Sequence, residues 1–255
     1  MNSIQIHTES SLDLPDLTTF RTILSVQPHP DDTDIALGAT VAALAAEGVR
    51  IIYLSVTDDA AGLRWENAGL SYPERVALRR QEQHQAAELL GVSAVEELGL
   101  SDAGGWSEYD ARQRIVDVIR RIQPDLVLTC DPWLAYEAHG DHRKTGLATA
   151  EAVLLCEFEA VGTVPVPKGM TAPMVGFFFT DYPNTFVQAE VFRKEKFSAI
   201  GAHRSQFTPK ELAELDVTDM SLGQECGAPH GLGWVEGLKL LPPGQLHIMP
   251  GTRGR

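Results

Sequence analysis

From residue 22 to about 160 the chain alternates β-branched runs with stretches of helical periodicity, and that alternation leaves few folds open. "TILSV" at 22–26 leads to a helical stretch near 34–47 that Gly48 ends, and "RIIYLSVT" at 50–57 is apolar enough to be covered on both faces. A Gly-, Asp- and Asn-rich loop at 58–72 precedes a helix over about 74–90, stopped by Gly91. A third helix at 110–122, broken by Pro124, feeds the strand "DLVLTC" at 125–130, and a fourth runs over about 142–158. The pattern is that of βαβ units building a mostly parallel sheet with helices on both faces.

Beyond residue 160 the pattern is less regular. "MVGFFFT" at 174–180 reads as a strand and "AEVFRKEKFSAIGAH" at 189–203 as a helix, while the Pro-rich 163–173 is a loop inside one domain, because apolar elements resume directly after it. The expectation is a single α/β domain over 1–255, with a regular core at about 20–160 and a completing segment at about 170–255. "GLGWVEG" at 231–237 lacks the spacing of a dinucleotide-binding turn.

Two strands of the core end in polar clusters. "PHPDDTD" at 28–34 follows "TILSV", and "YEAHGDHRKTG" at 136–146 follows "DLVLTC". Open α/β sheets bind ligands at the carboxyl ends of their strands. If the two strands are neighbours, His29, Asp31, Asp32, His139, Asp141 and His142 meet in one cleft. Two imidazoles and a carboxylate make an open catalytic zinc site, and a spare carboxylate beside it serves as general base. Asp31 and Asp32 are adjacent, point apart and so do different work. His139 and His142, three apart at a helix start, share a side, with Asp141 either orienting a histidine or capping the helix. Asp34 reads as a helix cap.

The composition narrows the partners. With 35 acidic against 21 basic residues the formal charge is −14, which repels nucleic acid and anionic membrane surfaces. Three dispersed cysteines suggest neither a disulfide framework nor a thiolate zinc site. The first twenty residues read neither as a signal peptide nor as a membrane span, so the expectation is a cytoplasmic enzyme.

HPDD after the first strand and HxDH after a later one resemble the LmbE/PIG-L family of zinc-dependent N-acetylglucosamine deacetylases. "RRQEQHQAAELLGV" at 79–92, "QPDLVLTCDP" at 123–132 and "KFSAIGAHRSQF" at 196–207 extend the resemblance over most of the chain. "DPWLAYEAHGDHRKTG", "AHRSQF", "EGLKLLPPG" and "HIMP" are similar to the diacetylchitobiose deacetylases within it. The resemblance implies a Rossmann-like fold, one zinc or other divalent ion per subunit, a small N-acetylated sugar as substrate and a homo-oligomer, trimer or hexamer. It makes His29, Asp32 and His142 the metal ligands, Asp31 the base and His139 the stabiliser of the oxyanion. Arg79 and Asp102 match residues that contact the sugar, and His247 one that lies near the site from its own or a neighbouring subunit. The chain departs from the family at Pro28, Asp34, Ala39 and Gly140, none of them a ligand or the base. Among Trp65, Tyr72, Trp106 and Trp133, the last is the best placed as a platform for a sugar ring, six residues before the second motif. His203 reads as a structural hydrogen-bonding residue. Two other classes remain open: a same-fold hydratase or lyase acting on an unsaturated acid, which needs cations to pair a carboxylate, and a non-catalytic carbohydrate-binding homologue, which has no need of Asp31.

Overall fold

A computed structural model describes residues 4–254, apart from the side chain of Trp65. One eight-stranded sheet carries the chain, in the order β1-β7-β8-β6-β5-β2-β3-β4. Its parallel block consists of β2 (Thr22–Gln27), β3 (Arg50–Thr57), β4 (Ala94–Leu100), β5 (Leu126–Cys130) and β6 (Met174–Phe178). An antiparallel flank of β8 (Glu236–Leu241), β7 (Thr185–Gln188) and β1 (Gln5–Thr8) continues from β6. The α/β reading holds, and the part beyond residue 160 completes the same sheet through this flank.

Successive strand residues point to opposite faces, which sorts the core into two layers. Ile23, Ile51 and Leu126 pack with α1 (Asp32–Ala46), α2 (Tyr72–Leu90) and α5 (Arg193–Ile200), while Leu24, Ile52 and Val127 pack with α3 (Glu108–Ile122) and α4 (Gly140–Leu155). Helices therefore cover both faces, and α6 (Pro209–Gly227) lies over the antiparallel side.

β2 pairs with β3 on one side and β5 on the other, so the chain runs in opposite directions across the sheet from the β2/β5 boundary. Such a boundary splays the two following loops apart and opens a crevice. The loops concerned are the two polar clusters.

Two of the sequence expectations change here. The first helix begins at Asp32 and is bent at Leu37, whose φ of −137° and ψ of 21° leave the helical region. The bend frees backbone donors, and the Glu236 carboxylate takes those of Ala39 and Thr40 at 3.2 and 2.7 Å. The run 189–203 divides into a 3-10 turn, Glu190–Phe192, and α5. Gly223 serves packing: it faces the Trp234 indole where a Cβ would collide with the ring.

Candidate metal centre

The turn after β2 is held from three sides. Thr57 of β3 donates to the Pro28 carbonyl through its N–H at 3.0 Å and its hydroxyl at 2.9 Å. Arg79 of α2 donates to the Pro30 carbonyl at 2.5 Å. The His29 N–H donates to Asp32 Oδ2 at 2.8 Å. Asp31 is the residue before α1 and carries a φ of 138°, a region that favours glycine. Strain of this kind persists only where the surroundings impose it.

Asp32 faces both histidines that the sequence pairs with it. His29 Nδ1 lies 3.2 Å from its Oδ2 and His142 Nε2 lies 3.3 Å from its Oδ1. Donor atoms of His29, Asp32 and His142 all lie within 4.8 Å of one another, and a second group, His29, Asp102, His139 and Asp141, shares the same spacing. The two loops thus meet at His29. The three imidazole rings stand 4.7 to 5.3 Å apart between centroids, and the His142 ring stacks on Phe179 after β6.

The polar atoms suit a cation. His29 Nε2 and His142 Nδ1 are buried and make no hydrogen bond, although Asp102 Oδ1 and Glu137 Oε2 each stand 3.4 Å away. Leaving such atoms unsatisfied is costly. Burial opposes the charge on His29, yet the carboxylates of Asp102, Asp141 and Asp32 outweigh it and hold the ring well above its ordinary range. Burial also opposes the charge on Asp32, and the hydrogen bond from His29 overcomes it and lowers the carboxyl. His142 is lowered by burial, which keeps it in the neutral form that binds metals. Unpartnered nitrogens in a negative field fit a divalent cation held by imidazole and carboxylate.

Asp31 is absent from both donor groups. Its carboxyl is raised well above the ordinary range by burial, with Asp59 and Asp32 adding to the effect and Arg79 opposing it. Arg79, matched by the resemblance to a residue that contacts the sugar, is fully buried. It has no donor left for a sugar hydroxyl, because all five of its N–H groups are committed. Nε donates to Asp59 at 2.5 Å, Nη1 to Glu82 at 2.6 Å and His203 Nδ1 at 3.2 Å, and Nη2 to Pro30 O at 2.5 Å and Asp31 Oδ2 at 3.1 Å. Behind it, His203 Nε2 meets Asp34 Oδ2 at 3.0 Å, and Tyr53 donates to Asp34 Oδ1 at 2.9 Å. Asp34 is therefore not a helix cap: it is completely buried and supports His203, which supports Arg79. His203 has the structural role expected of it.

The remaining candidates divide. His139 is the N-cap of α4, exposed toward the crevice side of His29, and its Nδ1 accepts the Asp141 N–H at 3.3 Å. Asp141 does not cap. It accepts Trp106 Nε1 at 2.9 Å and the Ala103 N–H at 2.8 Å, and stands 3.8 Å from His29 Nε2. Asp102, expected to touch the sugar, turns one oxygen to His29 and gives the other to the N–H groups of Ala61 and Gly62, both at 3.0 Å. Trp106 and Tyr72 are likewise engaged by Asp141 and Asp58, and the Trp65 side chain lies outside the described residues. Trp133 is 54% exposed and, with Tyr182, Lys239 and Arg253, lines a cavity of about 290 Å³ that opens at the ends of β5 and β6. His247 is exposed on the C-terminal segment and belongs to neither donor group.

Sequence reasoning missed Asp59, Glu82 and Glu137. Each had a signal: Asp59 follows β3 at the same sheet edge, Glu82 is three residues after Arg79 on one helix, and Glu137 sits two before His139.

A family model described as GlcNAc-PI de-N-acetylase, PIG-L, matches residues 24–153. The chain is 34% identical over 233 residues to the diacetylchitobiose deacetylase of Thermococcus kodakarensis, spanning 89% of this chain and 86% of that one. The solved N,N'-diacetylchitobiose deacetylase from Pyrococcus horikoshii superposes with a TM-score of 0.83 at 31% identity, over 91% of this chain and 88% of that one. The 4-carboxy-2-hydroxymuconate hydratase from Pseudomonas putida superposes with a TM-score of 0.72 at 24% identity, over 88% and 97%, and shares the fold.

Proposed function

The chain belongs to the PIG-L family of metal-dependent de-N-acetylases, and on that premise we propose that it removes one acetyl group from N,N'-diacetylchitobiose or a close N-acetylglucosamine compound. The observation that carries the reading is the division of labour at "HPDD": His29, Asp32 and His142 converge as donors while Asp31 stands outside their group, fixed by Arg79. The choice of disaccharide is supported by the relatives named above.

His29, Asp32 and His142 would hold one zinc ion, which supplies a polarised acyl oxygen and an acidified water. Asp31 takes a proton from the attacking water as its oxygen bonds to the acyl carbon. His139 uses its Nδ1 as an acceptor, so Nε2 carries the proton and donates to the oxygen that gains charge. The C–N bond then breaks, Asp31 returns the proton to the nitrogen, and acetate and a free amine leave. Trp133 offers a face for a sugar ring, and Arg79 and Asp102 act through Asp31 and His29. A hydratase acting on an unsaturated acid would need a free cation beside the base, and Arg79 has no N–H left to give.

An acetate-release assay over a panel of N-acetylated sugars tests this. Acetate from the chitin disaccharide is expected, abolished by a chelator and restored by zinc. No acetate from any sugar with the metal bound would remove the proposal in favour of a lyase or a non-catalytic binding protein. The single domain, a homo-oligomeric state and a cytoplasmic setting belong to the same reading. Among the described residues no helix is long and apolar enough to cross a membrane, and light scattering after size exclusion reads the subunit number.

A further inference from the structure

The opposite edge of the sheet carries a second convergence of imidazole and carboxylate. His7 of β1 and Glu9 are two residues apart on extended chain, so their side chains share one face. The Glu9 N–H donates to Asn184 O at 2.8 Å, which prolongs the pairing of β1 with β7. His230 closes the group from elsewhere. It ends the turn Ala228–His230 after α6, where Gly231 at a φ of 71° directs the chain toward β8.

Each ring brings a nitrogen close to the same carboxylate oxygen, His7 Nε2 in a hydrogen bond. His230 Nδ1 lies 2.8 Å and His7 Nε2 3.2 Å from Glu9 Oε1, and donor atoms of all three residues lie within 4.8 Å of one another. Donors bound at about 2.0–2.1 Å to a tetrahedral zinc stand roughly 3.3–3.4 Å apart, close to this spacing. His230 Nδ1 is buried and its approach to Glu9 has no hydrogen-bond geometry. Phe186 fixes the ring orientations, 4.0 Å from His230 and 6.1 Å from His7 between centroids. Glu9 is exposed, which leaves room for water to complete a coordination shell.

We propose that His7, Glu9 and His230 form a second cation site, for a first-row divalent metal of the zinc, cobalt or nickel class, that clips the edge strand β1 to the turn preceding β8. Two imidazoles and one carboxylate select such a metal over calcium or magnesium. The site lies at the end of the sheet remote from the β2/β5 crevice and has no share in the chemistry there.

The test is metal counting on the full chain, stripped by chelator, dialysed and titrated with Zn²⁺ or Co²⁺ alone. Wild type is expected to bind one equivalent more than the His7→Ala/His230→Ala variant, whose acetate release stays within twofold of wild type. With His29→Ala, which disables the crevice site, one equivalent remains, and its visible Co²⁺ absorption disappears when Glu9→Gln is added. Exposed Glu9 gives a variant that folds even if the double substitution does not. Equal metal content in wild type, the double variant and Glu9→Gln would overturn the proposal and leave only a pair of His–Glu contacts.

Discussion

Asp31 occupies a backbone conformation that few side chains adopt, and Arg79 keeps it there by binding both its carboxylate and the carbonyl before it. Two outcomes follow at this scale. Asp31→Ala should retain the metal, since the donors are other residues, and lose turnover by about 10²- to 10⁴-fold, the range of a positioned general base. Near-normal acetate release would assign the base elsewhere. Arg79→Lys replaces five fixed donors with three on a flexible stem. A misplaced base of this kind should lower kcat by about 10- to 100-fold with KM little changed, whereas a residue that bound sugar would raise KM. The histidines and carboxylates that converge were legible in the sequence because they sit in two short motifs. Asp34 was not: an aspartate at a helix start looks like a cap, and its true partners, Tyr53 and His203, lie 19 and 169 residues away.

At the scale of elements, the legible ones announce themselves with local chemistry. Ser71 and Glu74 form a capping box at the start of α2 and Gly91 ends it in the left-handed conformation. The flank was harder to read. β7 has four residues, and α6 buries only Gly223 and Gly227, so it has no apolar stripe to betray it. The bend in α1 had no sequence signal either, because what stabilises it arrives from β8. Glu236 caps the freed donors and pairs with buried Lys196 at 2.8 Å. Glu236→Ala leaves the N–H groups of Ala39 and Thr40 without an acceptor and Lys196 with Asp219 alone, and should cost about 1–3 kcal/mol, the effect of an unsatisfied buried polar group, read as a lower urea midpoint. An unchanged midpoint would mean that the bend is held by packing alone.

For the molecule as a whole, the same ion pair sets an alkaline limit. Burial opposes the charge on Lys196, but Glu236 and Asp219 outweigh it and raise the ammonium. A group raised on folding contributes stability that is complete below its unfolded value, about 10.4 for lysine, and is lost as pH rises through the folded value. Tyr53, raised by burial and then by Asp34, acts with the same sign. Unfolding free energy should therefore fall as pH climbs above about 10.4, and Lys196→Met should fall less steeply. Parallel curves for the two chains would exclude Lys196 as a source.

The sequence by itself determined the alternating core, its parallel order and the placement of histidines and carboxylates at two strand ends, because period, turn residues and short motifs are local properties. Which carboxylate faces the two histidines, which is held outside their group and which is buried as a support was decided by the tertiary structure. That division depends on a buried arginine that binds Asp31, Asp59 and Glu82 together, and such an arrangement is made by groups brought together from distant parts of the chain.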